Sequence, residues 1–337
     1  MSPSSRLGGF KVLKGLAEFS LILPENSQYS LTEFCSAIAG KKINLPYFTC
    51  IHSHSFWGVT VMVDAIHGLR LSLLIEENTG KQFNPSSESA ILSIFPHKNN
   101  PEIIGRLFKI LGIKGVVPDS LANSPSAISI VLKEKYLGKT RNALFEPFSF
   151  SAYRTPDDWK LAQKGKEHIY REVIASYQEQ KPKVYGLEYY DNRELLQVKI
   201  TDRNMALLGT AFQEYARSGI DLIFSATGPS QEEGTILAFC LPLSPDSPNA
   251  EVIRRSAPDA YTDSISPVAV FSMNGPHFGD RYGIVSSLLR AFEENEINLL
   301  CLSCTVASII GVVPSTQLDS SIRTIEECFE VPAVIKR

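Results

Sequence analysis

The chain has 337 residues, of which 44% are hydrophobic and 20% charged, and its formal net charge is -3 at pH 7. This composition is typical of a globular protein, and the length predicts roughly two to four domains. The weak net charge, with Lys and Arg scattered along the chain, excludes the basic footprint of a nucleic-acid-binding protein. Six cysteines do not make a disulfide framework in a chain of this size, and no stretch has the ~18–20 continuous apolar residues of a membrane span. We therefore expect a cytoplasmic protein with no nucleic-acid partner and no membrane partner.

The first half alternates between strand and helix patterns. Strand-like stretches ending in proline precede amphipathic helix patterns at 31–42 and 101–111. The first helix is followed by an Ile-Asn-Leu junction at 43–45 and then by another apolar stretch. This layout predicts two successive α+β units, at 1–84 and 85–154.

A connecting helix is predicted between the halves, at 155–181. Thr155 suits the N-cap, Pro156 suits the first helical position, and Pro182 ends the pattern. We expect a helix here rather than a flexible linker.

The second half repeats one unit twice. Helix patterns at 204–219 and 281–296 each follow an alternating strand, and each precedes a similar junction, Ile220-Asp221-Leu222 or Ile297-Asn298-Leu299. A hairpin-like region and a second helix come next in both. The order β-α-β-β-α-β is that of a split βαβ, or ferredoxin-like, unit.

The boundaries in this half are less sharp. The repeat predicts a third unit at 182–265 and a fourth at 266–337. The strand at 182–190 could belong to either of them. The predicted fold class is therefore α+β, with four ferredoxin-like units arranged as two tandem pairs.

The segment 182–332 resembles the paired regulatory ACT domains of aspartokinases. The stretches that carry the resemblance are KVYGLEYYDNRELLQVKITD and SPVAVFSMNGPHFGDRYGIVSSLLRAFEENEINLLCLSCTVASIIGVV. The first half is similar only in layout. The Lys-Phe-Gly-Gly opening of the family's kinase domain is absent, so the resemblance implies four ACT-type units without the kinase.

The resemblance implies a regulatory function rather than catalysis. ACT pairs of this family bind amino acids at their interfaces and also associate between chains. We therefore expect a non-enzymatic protein that binds a small amino acid, forms a homodimer through its ACT units and controls a partner enzyme of amino-acid metabolism. No cofactor and no metal is expected.

The strongest candidate site is the loop before the helix of the fourth unit. Gly283 matches the family's glycine, which lets a ligand approach the helix start, where unpaired N–H groups favour a carboxylate. Asp280 suits an amino group and Arg281 a carboxylate. The remaining residues expected at this site lie in the loop, at the helix start and in the next junction: Phe278, Gly279, Ile284, Asn298 and Leu299.

The third unit has a weaker version of the site. Asp202, Met205, Ala206 and Asp221 stand at the equivalent positions, but Met205-Ala206 replaces the glycine. For every junction an alternative interpretation remains: Asn and Asp also end helices simply because they tolerate left-handed backbone. For the loop before the fourth-unit helix, the alternative is a solvated loop with Asp280 as N-cap.

Two other functions stay open at this stage. One is an oligomerisation or scaffold module that binds no ligand. The other is an enzyme with a cleft between the halves that uses His52, His54 or Asp280. Cys301 and Cys304 are spaced like a redox or zinc pair, but on a strand they face opposite sides, so we interpret them as ordinary strand residues.

Overall fold

A computed structural model describes most of the chain: residues 5–25, 29–80, 82–83, 85–96, 99–163, 181–232, 234–243, 249–275, 278, 281–305 and 308–337. These residues form the α+β fold that the alternating patterns predict. No helix in these ranges is long and apolar enough to cross a membrane.

The first half contains eight strands among its described residues, and five helices up to the connection. The strands are β1 (Ser5–Leu7), β2 (Gly9–Pro24), β3 (Tyr47–Ser53), β4 (Phe56–Asp64), β5 (Ser86–Phe95), β6 (Ser120–Asn123), β7 (Ile128–Lys133) and β8 (Phe148–Phe150). The helices are α1 (Leu31–Gly40), α2 (Gly68–Thr79), α3 (Pro101–Ile113), α4 (Glu134–Leu144) and α5 (Pro156–Gln163).

The described part of the second half continues the series. Its strands are β9 (Gly186–Ile200), β10 (Phe224–Pro229), β11 (Thr235–Pro242), β12 (Thr262–Asn274), β13 (Cys301–Thr305), β14 (Ser308–Pro314) and β15 (Val334–Lys336). Its helices are α6 (Met205–Arg217), α7 (Asn249–Ser256), α8 (Ile284–Glu294) and α9 (Leu318–Cys328).

The predicted helices are present, with ends that shift by a few residues. Capping explains where two of them begin. Ser30 and Glu33 form a capping box at the start of α1, and Asn100 caps α3 ahead of its proline. The connecting helix is present as α5, and the rest of its predicted span lies outside the described residues.

Twelve of the described strands join edge to edge into one closed ring. Their order is β2-β4-β3-β13-β14-β12-β9-β11-β10-β6-β7-β5 and back to β2, with every pairing antiparallel. β15 pairs with β9 outside the ring, and β1 pairs separately with β8. Closure leaves few open strand edges.

Some long strands pair with one neighbour over their first part and with another neighbour over their second part. The first part of β2 pairs with β5 through Gly9 to Leu13, and its second part pairs with β4 from Leu16 onward. β9 and β12 also pair with different strands along their length, and β12 has a bulge between Ile265 and Val268. The strand at 186–190 thus lies against the 270–274 part of β12, across the predicted boundary at 265.

Most strands of the ring are buried on both faces, whereas β15 and the first part of β12 are exposed. One helical layer, made of α1, α2, α8 and α9, covers the β3–β13 side of the ring, and the other, made of α3, α4, α6 and α7, covers the β6–β10 side. The inner faces pack against each other through a smaller core that includes Phe224, Val270 and Cys301. Cys304 belongs to an outer core, so Cys301 and Cys304 face opposite sides of β13, as predicted.

Candidate ligand-binding cleft

Helices α1 and α8 lie side by side and run in opposite directions. Ser36 and Ser286 are joined by a hydrogen bond of 3.0 Å between their hydroxyls, and Ala39 lies next to Gly283. Beneath them β3 and β13 pair antiparallel, with Thr49 opposite Ser303. This arrangement is close to two-fold symmetric, so each helix start lies near the end of the other helix.

The start of α8 is open to a ligand. Its N-cap is Gly283, with φ of 84° and no side chain to accept a hydrogen bond from the first turn. A side chain at this φ would be strained, although a Cβ would lie an ordinary 3.7 Å from Ala39. Among the described residues, no side chain caps the first N–H groups of α8, and these groups carry partial positive charge.

A cleft of about 590 Å³ opens at this helix start. Arg281, Arg290 and Glu294 line it together with the small residues Ser36 and Gly40. Arg290 donates to the Ser36 hydroxyl at 3.2 Å, so it is held across the α1/α8 boundary. Two guanidinium groups, a helix N-terminus and one carboxylate can bind a small ligand that has both acidic and basic groups.

The bottom of the cleft is apolar and filled. Phe278, Ile43, Leu45, Cys35 and Cys304 enclose a cavity of only about 10 Å³, scarcely enough for one water molecule. Burial raises the pKa of the Cys304 thiol to about 12 and that of the Cys35 thiol still higher. Both thiols therefore stay protonated and serve as apolar wall rather than as nucleophiles.

The structure brings some of the expected site residues together and separates others. Phe278, Arg281, Gly283 and Ile284 all line the cleft or its base. Gly279 and Asp280 lie outside the described residues.

The expectation that Asn298 and Leu299 face Gly283 does not hold. Asn298 is exposed at the far end of α8, where its N–H donates to Gln317 Oε1 at 2.8 Å, and Leu299 is buried beside it. A helix runs antiparallel to the strands on either side of it, so the next strand starts about 16 Å away, the length of an 11-residue helix.

The residues opposite Gly283 come instead from the first Ile-Asn-Leu junction. Ile43 and Leu45 reach the base of the cleft because β3 runs antiparallel to β13. Sequence reasoning missed them, together with Ser36 and Arg290. The repeated Ile-Asn-Leu junction was the sequence signal that could have indicated them. The sequence does not show, however, which helix start lies beside each copy of the junction.

The equivalent position at the start of α1 is filled by a side chain. The two junctions are 254 residues apart, which is 297 − 43, so Gly283 corresponds to Tyr29. The Tyr29 ring packs edge-on against Phe34 at 6.1 Å, and burial, with smaller effects from Cys35 and Glu33, raises its pKa to about 12. Of these two related sites, only the one at Gly283 has room at the helix start.

Helices α3 and α6 pack too closely to leave a ligand-sized space between them. A Cβ on Gly105 would lie 2.8 Å from the Gly209 carbonyl oxygen, and the cavity beside buried Met205 holds only about 20 Å³. Ala206 packs against Gly112. The predicted third-unit site therefore has little space for a ligand.

The other predicted residues of that site are separated. Asp202 and Asp221 are both exposed, but at opposite ends of α6. The N–H of Leu222, next to Asp221, donates to the Asn99 carbonyl oxygen at 3.0 Å. Asp221 thus lies by the start of α3, in the same crossed arrangement that is seen for Ile43 and Gly283.

The histidines considered for catalysis do not form a shared site. The His52 ring lies against Trp57, with its Nε2 3.5 Å from a Glu25 carboxylate oxygen. His54 is exposed in the β3–β4 turn at φ of 56°, past the end of the strand. Within the described ranges, no group of three His, Cys, Asp or Glu side chains could hold a metal ion.

The fold is similar to that of an aspartate kinase from Synechocystis, with a TM-score of 0.75 over 96% of this chain at 15% sequence identity. The match covers 56% of that kinase, so the chain spans just over half of its length. The regulatory subunits of aspartate kinase from Thermus thermophilus and Thermus flavus match over 43% of this chain and 98% of their own, with TM-scores of 0.38 and identities of 15% and 14%. No family model and no curated protein matches the sequence. The chain thus has an aspartokinase-like α+β fold, and the similarity extends to its first half.

Proposed function

We propose that the chain consists of four ferredoxin-like units of the ACT type, paired first with fourth and second with third. The strand orders support this division: β5-β2-β4-β3 in the first unit and β9-β12-β14-β13 in the fourth both follow the 4-1-3-2 order of such units. In this proposal each long strand supplies the first strand of one unit and the last strand of another.

We propose further that the protein is a non-catalytic sensor that binds a small amino acid in the α1/α8 cleft. The observation that carries this proposal is the start of α8 at Gly283, which no described side chain caps and which opens to a cleft lined by Arg281 and Arg290. The helix start and the arginines would bind the α-carboxylate.

Regulation would follow from the position of the cleft. The ligand would contact α8 from one unit and α1 from the other, while the apolar base beneath them is packed. Binding would therefore favour one packing of the two units over another, a population shift of about 1–3 kcal/mol. We propose that the protein forms a homodimer through these units. The change in packing would control a partner enzyme of amino-acid metabolism.

Binding is tested by titrating the twenty amino acids, singly, against the whole protein by calorimetry and thermal shift. We expect at least one to bind at ~10 mM or below and Arg290→Gln to weaken it about tenfold. Arg323→Gln, which changes an exposed arginine on α9 away from the cleft, is the matched control and should leave the affinity unchanged. If Arg290→Gln weakens the binding of none of the twenty amino acids, the cleft is not an effector site.

A kinase-like enzyme is the second candidate, because the match over the whole chain is with an aspartate kinase. ATP consumption with and without aspartate decides between the two. Turnover above background that follows the protein through purification would overturn the non-catalytic proposal.

A further inference from the structure

A second cavity is lined by residues outside α1 and α8. It has a volume of about 250 Å³, or roughly eight water volumes, and shares no residue with the cleft. His54 and Phe56 of the β3–β4 turn form one wall, and Lys199, Glu232, Ile236 and Tyr261 form the others. The two halves of the chain therefore both contribute to it.

The apolar part of this cavity is ready to receive a ligand. Phe56 is buried, Ile236 is half-buried, and Tyr261 keeps 57% of its surface exposed at the rim. The Tyr261 ring lies 6.5 Å from the His54 ring. An exposed aromatic ring beside a cavity with an apolar floor can cover the body of a small apolar group.

The polar part includes one opposite-charge pair and the Gln197 amide, beside Ser53, His54, Ser230 and Gln231. Lys199 Nζ lies 2.7 Å from Glu232 Oε2, with side chains 24% and 81% exposed. Because the Glu232 carboxylate is largely exposed, the pair is weak, and both charges can turn to a ligand at little cost. Gln197, which also lines the cavity, is held by donating its amide to the His52 carbonyl oxygen at 2.7 Å.

The cavity lies near a point where two strands from different halves of the chain are in close contact. Gly58 and Gly228 already bring β4 and β10 into backbone contact next to it, and a Cβ on Gly228 would lie 2.9 Å from the Gly58 carbonyl oxygen. A ligand in the cavity would connect the β3–β4 turn to β9 and β11.

We infer that this cavity binds a small zwitterion with an apolar body, an aliphatic or aromatic α-amino acid. Lys199 receives the carboxylate, Glu232 receives the ammonium, and Phe56, Ile236 and Tyr261 cover the side chain. A neutral charge sum favours a zwitterion over an anion or a cation. This site is independent of the α1/α8 cleft and of the function proposed for it.

The test titrates L-phenylalanine and L-leucine by calorimetry, alongside 3-phenylpropionate, which lacks the amine, and phenethylamine, which lacks the carboxylate. We expect each truncated compound to bind about tenfold more weakly than phenylalanine. Lys199→Met should abolish the advantage of phenylalanine over phenethylamine, and Glu232→Gln its advantage over phenylpropionate. Ser230→Phe, which fills the cavity at its rim, should remove binding of all four.

Two controls separate this site from the cleft and from a folding defect. Arg290→Gln should leave these affinities unchanged, and Lys160→Met, which breaks the exposed Lys160–Asp157 pair elsewhere, should do the same. Each variant is used only if its thermal midpoint matches that of the parent. Absence of binding at ~10 mM, or binding that Arg290→Gln weakens and Lys199→Met does not, overturns the inference.

Discussion

Replacing Gly209 by alanine tests how closely α3 and α6 pack. The added Cβ would lie 2.7 Å from the Gly105 carbonyl oxygen and 2.9 Å from the Lys109 backbone nitrogen. Both atoms belong to helix backbone, which cannot move aside as a side-chain end could. Ordinary contact begins near 3.4 Å, so the two helices must separate by about 0.7 Å.

The magnitude follows from two opposing effects. A gap of this size forfeits a quarter to a half of the dispersion energy between facing atoms, and overpacking of this kind costs about 1–3 kcal/mol. Alanine recovers up to about 1 kcal/mol of helix propensity. We therefore expect Gly209→Ala to lower the free energy of unfolding by about 1–2 kcal/mol, as measured by the urea midpoint at an unchanged m-value.

Gly138 provides the matched control. It lies in α4, and a Cβ there would meet nothing within 4 Å. Gly138→Ala should therefore raise the free energy of unfolding by about 0.5–1 kcal/mol. If Gly209→Ala is as stable as Gly138→Ala, the close approach of the two helices does not hold in solution. Gly105→Ala should lower the free energy of unfolding less in the Gly209→Ala variant than in the parent protein, because Gly209→Ala has already separated the two helices.

The remaining predictions concern the charge cluster of Glu18, Lys133 and Asp119, where Lys133 Nζ lies 2.7 Å from a Glu18 oxygen and 3.2 Å from an Asp119 oxygen. Burial, and then repulsion from Glu18, raises the pKa of Asp119 from 3.8 to about 6, so the folded protein binds this proton more tightly than the unfolded chain. Stability should therefore fall as pH rises from ~4 to ~6, by about 1–2 kcal/mol after allowance for partial exposure; Asp119→Asn should remove that part of the fall in urea midpoints taken across this range. Lys133→Met should cost about 3 kcal/mol at neutral pH, because it leaves the buried Glu18 carboxylate without its cation, whereas Lys160→Met, which breaks only an exposed pair, should leave the free energy of unfolding nearly unchanged. Equal effects of the two substitutions would contradict the buried role of Lys133.

Local patterns accounted for most of the helices. The stripe of apolar residues in α8 and the glycine before it are both written in a short stretch of chain, and α8 forms where they predict. Helix starts such as Ser30 and Asn100 depend on hydrogen bonds to groups two or three residues away, so they too can be predicted locally. Of the candidate site, the loop and the helix start could be expected on the same grounds.

The partners across the cleft could not be predicted in that way. Ile43 and Leu45 reach Gly283 only because β3 pairs with β13, more than 200 residues along the chain. Backbone hydrogen bonds between strands form in the same way for every sequence. The hydrophobic pattern along a strand therefore does not predict which strand it pairs with. The same is true of the contact between Leu222 and Asn99.

By itself, the sequence determined the order of helices and strands, the repetition of the Ile-Asn-Leu junction and the glycine at the start of α8, because each depends on side chains a few residues apart. Only the tertiary structure decided that the long strands change partner along their length, that twelve of the described strands close into a ring, and that the junctions at Ile43 and Asp221 lie by helix starts in another part of the chain. The physical reason is the direction of the chain. A helix runs antiparallel to the strands of its sheet, so the two ends of α8 lie about 16 Å apart and the next strand of the chain begins far from the helix start. The residues beside that start therefore come from an antiparallel neighbouring strand.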